Sequence, residues 1–189
     1  MGLNQTLLVK GIEIVGLLFA AFGGFFAGIA PPQAADARFA VGLSSFLALI
    51  ILFIVAAASR KTKKARRVWL IVGCVLFVVA ILSAYHYKTS YDQLTFEYPP
   101  GAAAVEHVAG TELTPEALEY QQSHPGLSNS QLLAKFGGLK NKGEVWPAAS
   151  VNRARIKLIG SYLVLVLAIS GAIFSLTEGV LGQARQRKT

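Results

Sequence analysis

Four long apolar blocks, almost free of charged residues, dominate the pattern of hydrophobic and polar positions along the chain. They run from about Leu7 to Ala30, Phe39 to Ser59, Val68 to Tyr85 and Leu158 to Thr177. Each is close to the roughly 20 residues that an α-helix needs to cross the hydrocarbon core of a bilayer. None shows the strict alternation of a membrane β-strand. The pattern therefore predicts an all-α polytopic membrane protein with four transmembrane helices.

The first apolar block also has features of a cleaved signal peptide, which is the alternative to a retained span. Ala35-Asp36-Ala37 follows the block and resembles a small-residue cleavage site. The apolar core of a signal peptide is typically about 7–15 residues long, however, and this block is longer. Glu13 also interrupts what would otherwise be a simple basic segment. We therefore expect the first block to be a transmembrane helix.

Basic residues are concentrated in one short link between the blocks and at the end of the chain. The link at positions 60–67, the basic hairpin, contains Arg60, Lys61, Lys63, Lys64, Arg66 and Arg67. The link from Pro31 to Arg38 contains only one basic residue, whereas the tail adds three, at positions 185, 187 and 188. Because basic residues of short loops stay on the cytoplasmic side, the hairpin and both termini are predicted to be cytoplasmic. The Ala-rich, basic composition suggests a bacterial inner membrane.

The long segment between the third and fourth blocks divides the chain into three parts. Residues 1–85 hold the first three helices and the basic hairpin, residues 86–157 form a loop domain, and residues 158–189 hold the fourth helix and tail. The loop contains seven Lys or Arg residues. Long loops are nevertheless translocated largely regardless of charge. We therefore predict an extracytoplasmic domain between helices three and four.

The loop sequence predicts that this domain is a small α+β unit. Residues 93–98 alternate apolar and polar positions, and residues 105–108 are expected to pair with them as a second strand. The expected core anchors are Phe96, Tyr98, Phe136 and Trp146. A domain of roughly 65 residues has a marginal core. We therefore expect it to lean on neighbouring copies or on the membrane face.

Capping residues and prolines mark three helix starts in the loop, at Thr114-Pro115, Ser128 and Trp146-Pro147. The Gly137-Gly138 pair is expected to end the second helix, and the third helix is expected to continue into the fourth span. Six acidic residues, from Asp92 to Glu119, fall in the first half of the loop, and six basic residues, from Lys135 to Lys157, fall in the second. This sorting predicts attraction between the two halves, within one copy or between copies; the alternative is a surface for a charged partner.

Few residues indicate catalytic or metal chemistry. Cys74, the single cysteine, lies in an apolar block and is interpreted as a small buried residue. His86, His107 and His124 are isolated in sequence, whereas zinc ligands usually occur as close pairs. The net charge of +8 follows the membrane orientation, so a nucleic-acid partner is not expected. We predict no catalytic residue, no metal site and no cofactor.

Small residues and one polar pair stand out within the predicted spans. The first span carries a small-residue stripe at Ala20, Gly24 and Gly28, and the fourth carries a second face formed by Ser161, Ala168, Gly171, Ser175 and Glu178. Such stripes allow close helix packing in lipid, and the alternative is that they line a pore. Lys10 and Glu13 are interpreted as an intramembrane polar pair or a pair at the membrane interface.

These features favour a non-enzymatic, homo-oligomeric membrane protein that acts as a sensor, adaptor or assembly subunit. Its expected partners are the lipid bilayer, further copies of itself and a cytoplasmic protein at the basic hairpin. The alternative is an oligomeric ion channel or a membrane-disrupting pore-forming effector. A membrane enzyme or solute carrier fits less well, because the sequence has no catalytic motif or internal repeat. The layout resembles that of tetraspanins in topology alone, since their outer loop carries a Cys-Cys-Gly signature and this loop has no cysteine.

Overall fold

The computed structural model describes residues 29–58, 63–101 and 104–186. Several predictions fall outside these residues. They are the first span, with the pair Lys10 and Glu13 and the stripe Ala20, Gly24 and Gly28, the hairpin residues Arg60 and Lys61, and the end of the tail.

Within the described residues, three helices are long and apolar enough to cross a membrane. These are α1 (Ala34–Ala58), α2 (Lys63–Leu94) and α6 (Ala148–Gln186), whose candidate spans are Ala34–Val55, Ala65–Leu94 and Ala148–Val180. Length and composition thus confirm three of the predicted spans as candidates. Helix α2 continues beyond the predicted limit at residue 85, where Lys88 and Asp92 form an i,i+4 ion pair of 3.1 Å. Helix α6 begins at Ala148 and runs without a break into the fourth span, as the Trp146-Pro147 start predicts.

The helix α6 packs against both α1 and α2 and is the most buried of the three. Within the apolar stretch that makes each helix a candidate span, 56% is buried in α6, compared with 22% in α1 and 11% in α2. The outward faces of α1 and α2 instead expose large apolar side chains, including Phe46 and Leu82, as expected for surfaces that contact lipid. Cys74 belongs to such a face and is exposed, so the prediction that it is buried was wrong.

Glycine residues bring α2 and α6 close together. A Cβ atom placed on Gly73 of α2 would lie 2.7 Å from the Leu176 side chain, and one placed on Gly179 of α6 would lie 2.7 Å from Leu70. Neither position could therefore accept a larger residue without movement of its neighbour. Close approach of this kind stabilises helix pairs through van der Waals contact rather than hydrophobic burial.

The segment between α2 and α6, residues 95–147, folds as a small α+β unit that we call the interhelical domain. It contains β1 (Thr95–Tyr98), β2 (Val105–Val108), α3 (Pro115–Ser123), α4 (Asn129–Lys135), a 3-10 turn (Leu139–Asn141) and α5 (Lys142–Val145). The strands are antiparallel, with Phe96 opposite His107. The predicted first strand began at Gln93, but α2 continues through Leu94, and the Thr95 hydroxyl donates a hydrogen bond to the Tyr91 carbonyl near the end of α2.

Local capping determines where α3 and α4 begin. The Thr114 side chain accepts a hydrogen bond from the Ala117 amide, and Ser128 and Gln131 form the complete capping box that the sequence predicts. Gly137 and Gly138 adopt positive φ angles of 89° and 81° after α4, a backbone conformation that glycine tolerates best. The 3-10 turn and α5 were not predicted, because no capping pattern in the sequence marks their starts.

The interhelical domain has its own hydrophobic core. The buried residues are Ala109, Ala117, Leu132, Leu133, Val145 and Trp146, and Phe96, Tyr98 and Phe136 pack against them. These contacts confirm all four predicted core anchors. Val151 of α6 also packs against this core, so the domain is completed by the start of the long helix that follows it.

Candidate functional site

A set of polar side chains lies near the place where the interhelical domain meets the long helices. We call this set the junction network; its members are Asp36, Ser44, Tyr87, Tyr91, Glu106, Lys142, Arg155 and Tyr162. The part of the chain that the structure describes brings together no group of three or more His, Cys, Asp or Glu residues suited to a metal ion. The contacts within the network are hydrogen bonds, an ion pair and aromatic contacts.

A bidentate ion pair joins α1 to α6. The Arg155 guanidinium donates hydrogen bonds of 2.7 Å and 2.5 Å to the two carboxylate oxygens of Asp36. The Asp36 side chain is only 9% exposed, whereas that of Arg155 is 37% exposed. Asp36 also lies in the first turn of α1, where the helix dipole favours a negative charge. Two parallel hydrogen bonds fix geometry as well as energy, so this pair holds the start of α1 on a defined part of α6.

Three tyrosine side chains form a series of ring contacts between α6 and α2, in the same region as this pair. Tyr162 of α6 shares a hydrogen bond with Ser44 of α1, and its ring centroid lies 5.9 Å from that of Tyr87 on α2. Tyr87 lies 5.9 Å from Tyr91 on the same helix, and the Tyr91 hydroxyl donates a hydrogen bond to the Glu106 carboxylate in β2. Aromatic contacts and hydrogen bonds thus connect all three long helices to the sheet.

Lys142 brings the last helix of the interhelical domain into the network. Its ammonium donates a 2.5 Å hydrogen bond to the Val108 carbonyl at the end of β2. Burial, and then the nearby charge of Arg155, lower the pKa of Lys142 from its ordinary value. Burial and then Lys142 lower the pKa of His107. Positive charge is therefore dense here, and Asp36 supplies a buried carboxylate beside Arg155.

A second ion pair ties the start of α6 to the loop before α3. Arg153 lies 2.7 Å from Glu112, and the Ser150 hydroxyl donates a 3.1 Å hydrogen bond to the Glu112 carbonyl. The pair joins the acidic and basic halves of the loop inside one copy, as one of the two predicted arrangements requires. Both charged side chains are about 60% exposed, so the pair itself contributes roughly 0–1 kcal/mol.

The sequence-predicted residues of α6 fall into two groups. Ala168, Gly171 and Ser175 are buried, and a Cβ atom on Gly171 would lie 3.1 Å from Leu76 of α2. Ser161 and Glu178 are partly exposed. The hairpin residues that the structure describes lie at the start of α2, at the end of this helix that is far from the interhelical domain. They are Lys63, Lys64, Arg66 and Arg67.

Sequence reasoning did not single out the tyrosines or the pairing of Asp36 with Arg155. One signal was present: Tyr87 and Tyr91 are four residues apart and therefore share one face of a helix. The partners Glu106 and Tyr162 lie far away in sequence, and Asp36 and Arg155 are separated by 119 positions. Only tertiary packing, with α6 beside both α1 and α2, brings them together.

Comparison of the chain with protein-family models, curated proteins and solved structures gave no match. By the length and composition of its helices, the fold belongs to the class of integral membrane proteins, with a folded domain inserted between two candidate spans.

Proposed function

We propose that the protein is a non-enzymatic membrane sensor, adaptor or assembly subunit, in which the state of the interhelical domain is communicated to the membrane helices. The observation that carries this proposal is the junction network. The hydrogen bond from Tyr91 to Glu106 joins the interhelical domain to α2, and the ion pair from Arg155 to Asp36 joins α1 to the first part of α6, which follows the domain directly. A domain that served only as a connection between α2 and α6 would not need the contact from β2 back to α2.

The proposed topology has four spans in a bacterial inner membrane, with cytoplasmic termini and an extracytoplasmic interhelical domain. The positive residues of the basic hairpin support this orientation. Helix α2 contains 32 residues and is therefore about 48 Å long. A partner at the hairpin would thus lie across the membrane from a ligand at the interhelical domain.

The Asp36–Arg155 pair is the proposed coupling element. A ligand or protein that moves the start of α6 changes the position of Arg155, and α1 either follows it or loses the pair. Such a switch requires that the ligand bind one of these two arrangements more tightly than the other. Because α2 and α6 are continuous through the junction, a displacement there is transmitted along their length.

The second candidate is an oligomeric ion channel or pore-forming effector. The partial exposure of Ser161 and Glu178 on α6 favours it, because both could face a path shared by several copies. The burial of Gly171 and Ser175 within one copy favours helix packing instead. A homo-oligomer is part of both proposals, and mass measurement in mild detergent should show more than one chain per particle.

Cysteine labelling tests the proposed topology. In a Cys74→Ala background, an impermeant maleimide added from outside should label Asn129→Cys and not Thr62→Cys. The reverse pattern would overturn the orientation and move any partner to the other side.

The coupling proposal is tested by Asp36→Asn in the full-length protein. A spin label at Thr62→Cys, again without Cys74, should report a changed environment when the ion pair is removed. Glu112→Gln is the matched control, because it removes the exposed pair with Arg153 inside the interhelical domain and should leave the label unaffected. An unchanged label in Asp36→Asn would contradict the coupling role.

Ion flux in reconstituted vesicles separates the two candidate functions. A sensor or adaptor should give no flux above background. A channel should conduct, with less flux in Gly171→Leu or Ser175→Leu and altered selectivity in Glu178→Gln.

A further inference from the structure

An open groove of about 460 Å³ lies between α2 and α6, outside the junction network. On each helix four lining residues follow the spacing i, i+3, i+4, i+7, from Val79 to His86 on α2 and from Lys157 to Val164 on α6. The four lining residues of each helix therefore share one face of that helix, and each helix forms one wall of the groove. The volume falls within the roughly 300–1,000 Å³ of typical small-molecule sites.

The groove is amphipathic from one end to the other. Because α2 and α6 run antiparallel, His86 and Lys157 lie together at the end nearest the interhelical domain. Val79 and Val164 lie about 10 Å further along the helices, at seven residues and 1.5 Å per residue. Leu82 and Val164 are 64% and 53% exposed, and both belong to candidate spans. The apolar end is therefore open to the side where lipid chains would lie.

We propose that this groove binds one anionic phospholipid. Its phosphate would lie at Lys157 and His86, and an acyl chain would follow the apolar wall past Gly160 towards Val79. Cationic pockets between membrane helices bind anionic headgroups in this manner. A soluble anion would make no contact with the apolar end, and an uncharged chain would form no ion pair with Lys157.

The charges around the groove single out Lys157. Lys88 lies 3.1 Å from Asp92, and Arg153 lies 2.7 Å from Glu112, so a carboxylate accompanies each of these neighbouring cations. Lys157 is exposed and, among the described residues, has no carboxylate within ion-pair distance. A lipid phosphate supplies the missing countercharge.

Gly160 offers a way to fill the groove without disturbing the helices. A Cβ atom placed there meets no atom within 4 Å, so Gly160→Leu occupies the space of the acyl chain. Gly42→Leu is the matched control, because Gly42 also has no atom within 4 Å but lies on α1. Native mass spectrometry of the full chain with added phosphatidylglycerol should show loss of the bound lipid in Gly160→Leu and retention in Gly42→Leu.

The charge requirement is tested separately with Lys157→Gln. Affinity for phosphatidylglycerol should fall about fivefold while the weaker binding of phosphatidylcholine stays unchanged. Lys88→Gln removes the same charge from a position of α2 that does not line the groove, and it should have no effect.

Three outcomes would overturn the lipid site. They are equal binding of both lipids by the wild-type protein, full retention of phosphatidylglycerol by Gly160→Leu, and a loss in Lys157→Gln no greater than in Lys88→Gln. A fall in oligomer mass with unchanged lipid in Gly160→Leu would assign the groove to a second copy. Crosslinking of Gly160→Cys to residues 1–28 would assign the groove to the chain's own first segment.

Discussion

The interhelical domain and the long helices handle apolar surface in opposite ways. In the domain, Leu132, Leu133 and Val145 are fully buried and Trp146 is 2% exposed, as in a water-soluble protein. In α1 and α2, large residues such as Phe53 and Ile71 are about 60% exposed, and Gly73 allows a close approach between α2 and α6. Water therefore drives the packing of the domain, whereas close fit must hold the helices together.

The junction network lies at the boundary between these two regions. At the boundary neither mechanism suffices. The last residues of α2 and the first residues of α6 are rich in polar side chains, and the domain core begins only beyond them. Ion pairs and hydroxyl hydrogen bonds, such as those of Arg155 and Tyr91, bridge this zone. Removal of a contact should therefore have different consequences on the two sides of the boundary.

The largest effect is expected in the domain core. Trp146→Ala removes a buried ring whose centroid lies 5.3 Å from that of Phe96, and it should cost about 3–5 kcal/mol of domain stability. Hydrogen exchange of the α4 amides in the full-length protein should rise accordingly. Leu118→Ala, at a position 45% exposed on α3, is the control and should change stability by less than about 0.5 kcal/mol. Equal effects of the two changes would mean that the domain core does not stabilise the domain.

Local sequence signals predicted the parts of the structure that local chemistry determines. Hydropathy identified α1, α2 and α6, and capping residues identified the starts of α3 and α4. The end of α2 was placed nine residues early, at Tyr85 instead of Leu94, because hydropathy registers the loss of apolar residues and not the end of the helix. The junction network could not be predicted, since Asp36 and Arg155 meet only through tertiary packing.

A smaller effect is expected where α2 meets α6. Gly73→Ala places a methyl group 2.7 Å from the Leu176 side chain and 3.1 Å from its backbone nitrogen, so the Leu176 side chain must move and its backbone must give way by a few tenths of an ångström. Overpacking of this kind costs about 1–3 kcal/mol. Gly42→Ala, which meets no atom within 4 Å, should be neutral or slightly stabilising. Detergent-induced unfolding of the full-length protein in bicelles measures both, and an unaffected Gly73→Ala would contradict the close-packed interface.

The smallest effect concerns the pH dependence of the interhelical domain. Burial and the charge of Lys142 lower the pKa of His107 in the folded state below its ordinary value of about 6.5. The unfolded chain therefore binds the proton more readily, and domain stability should fall as the pH drops through the window below 6.5. The change should stay under about 1 kcal/mol because the imidazole is only partly buried. Hydrogen exchange of the domain between pH 7 and 5 should show this loss, and His107→Gln should reduce it, whereas His124→Gln, which removes an exposed imidazole, should not. If both variants keep the full pH dependence, another group near the sheet is responsible, and the repulsion between His107 and Lys142 does not limit domain stability.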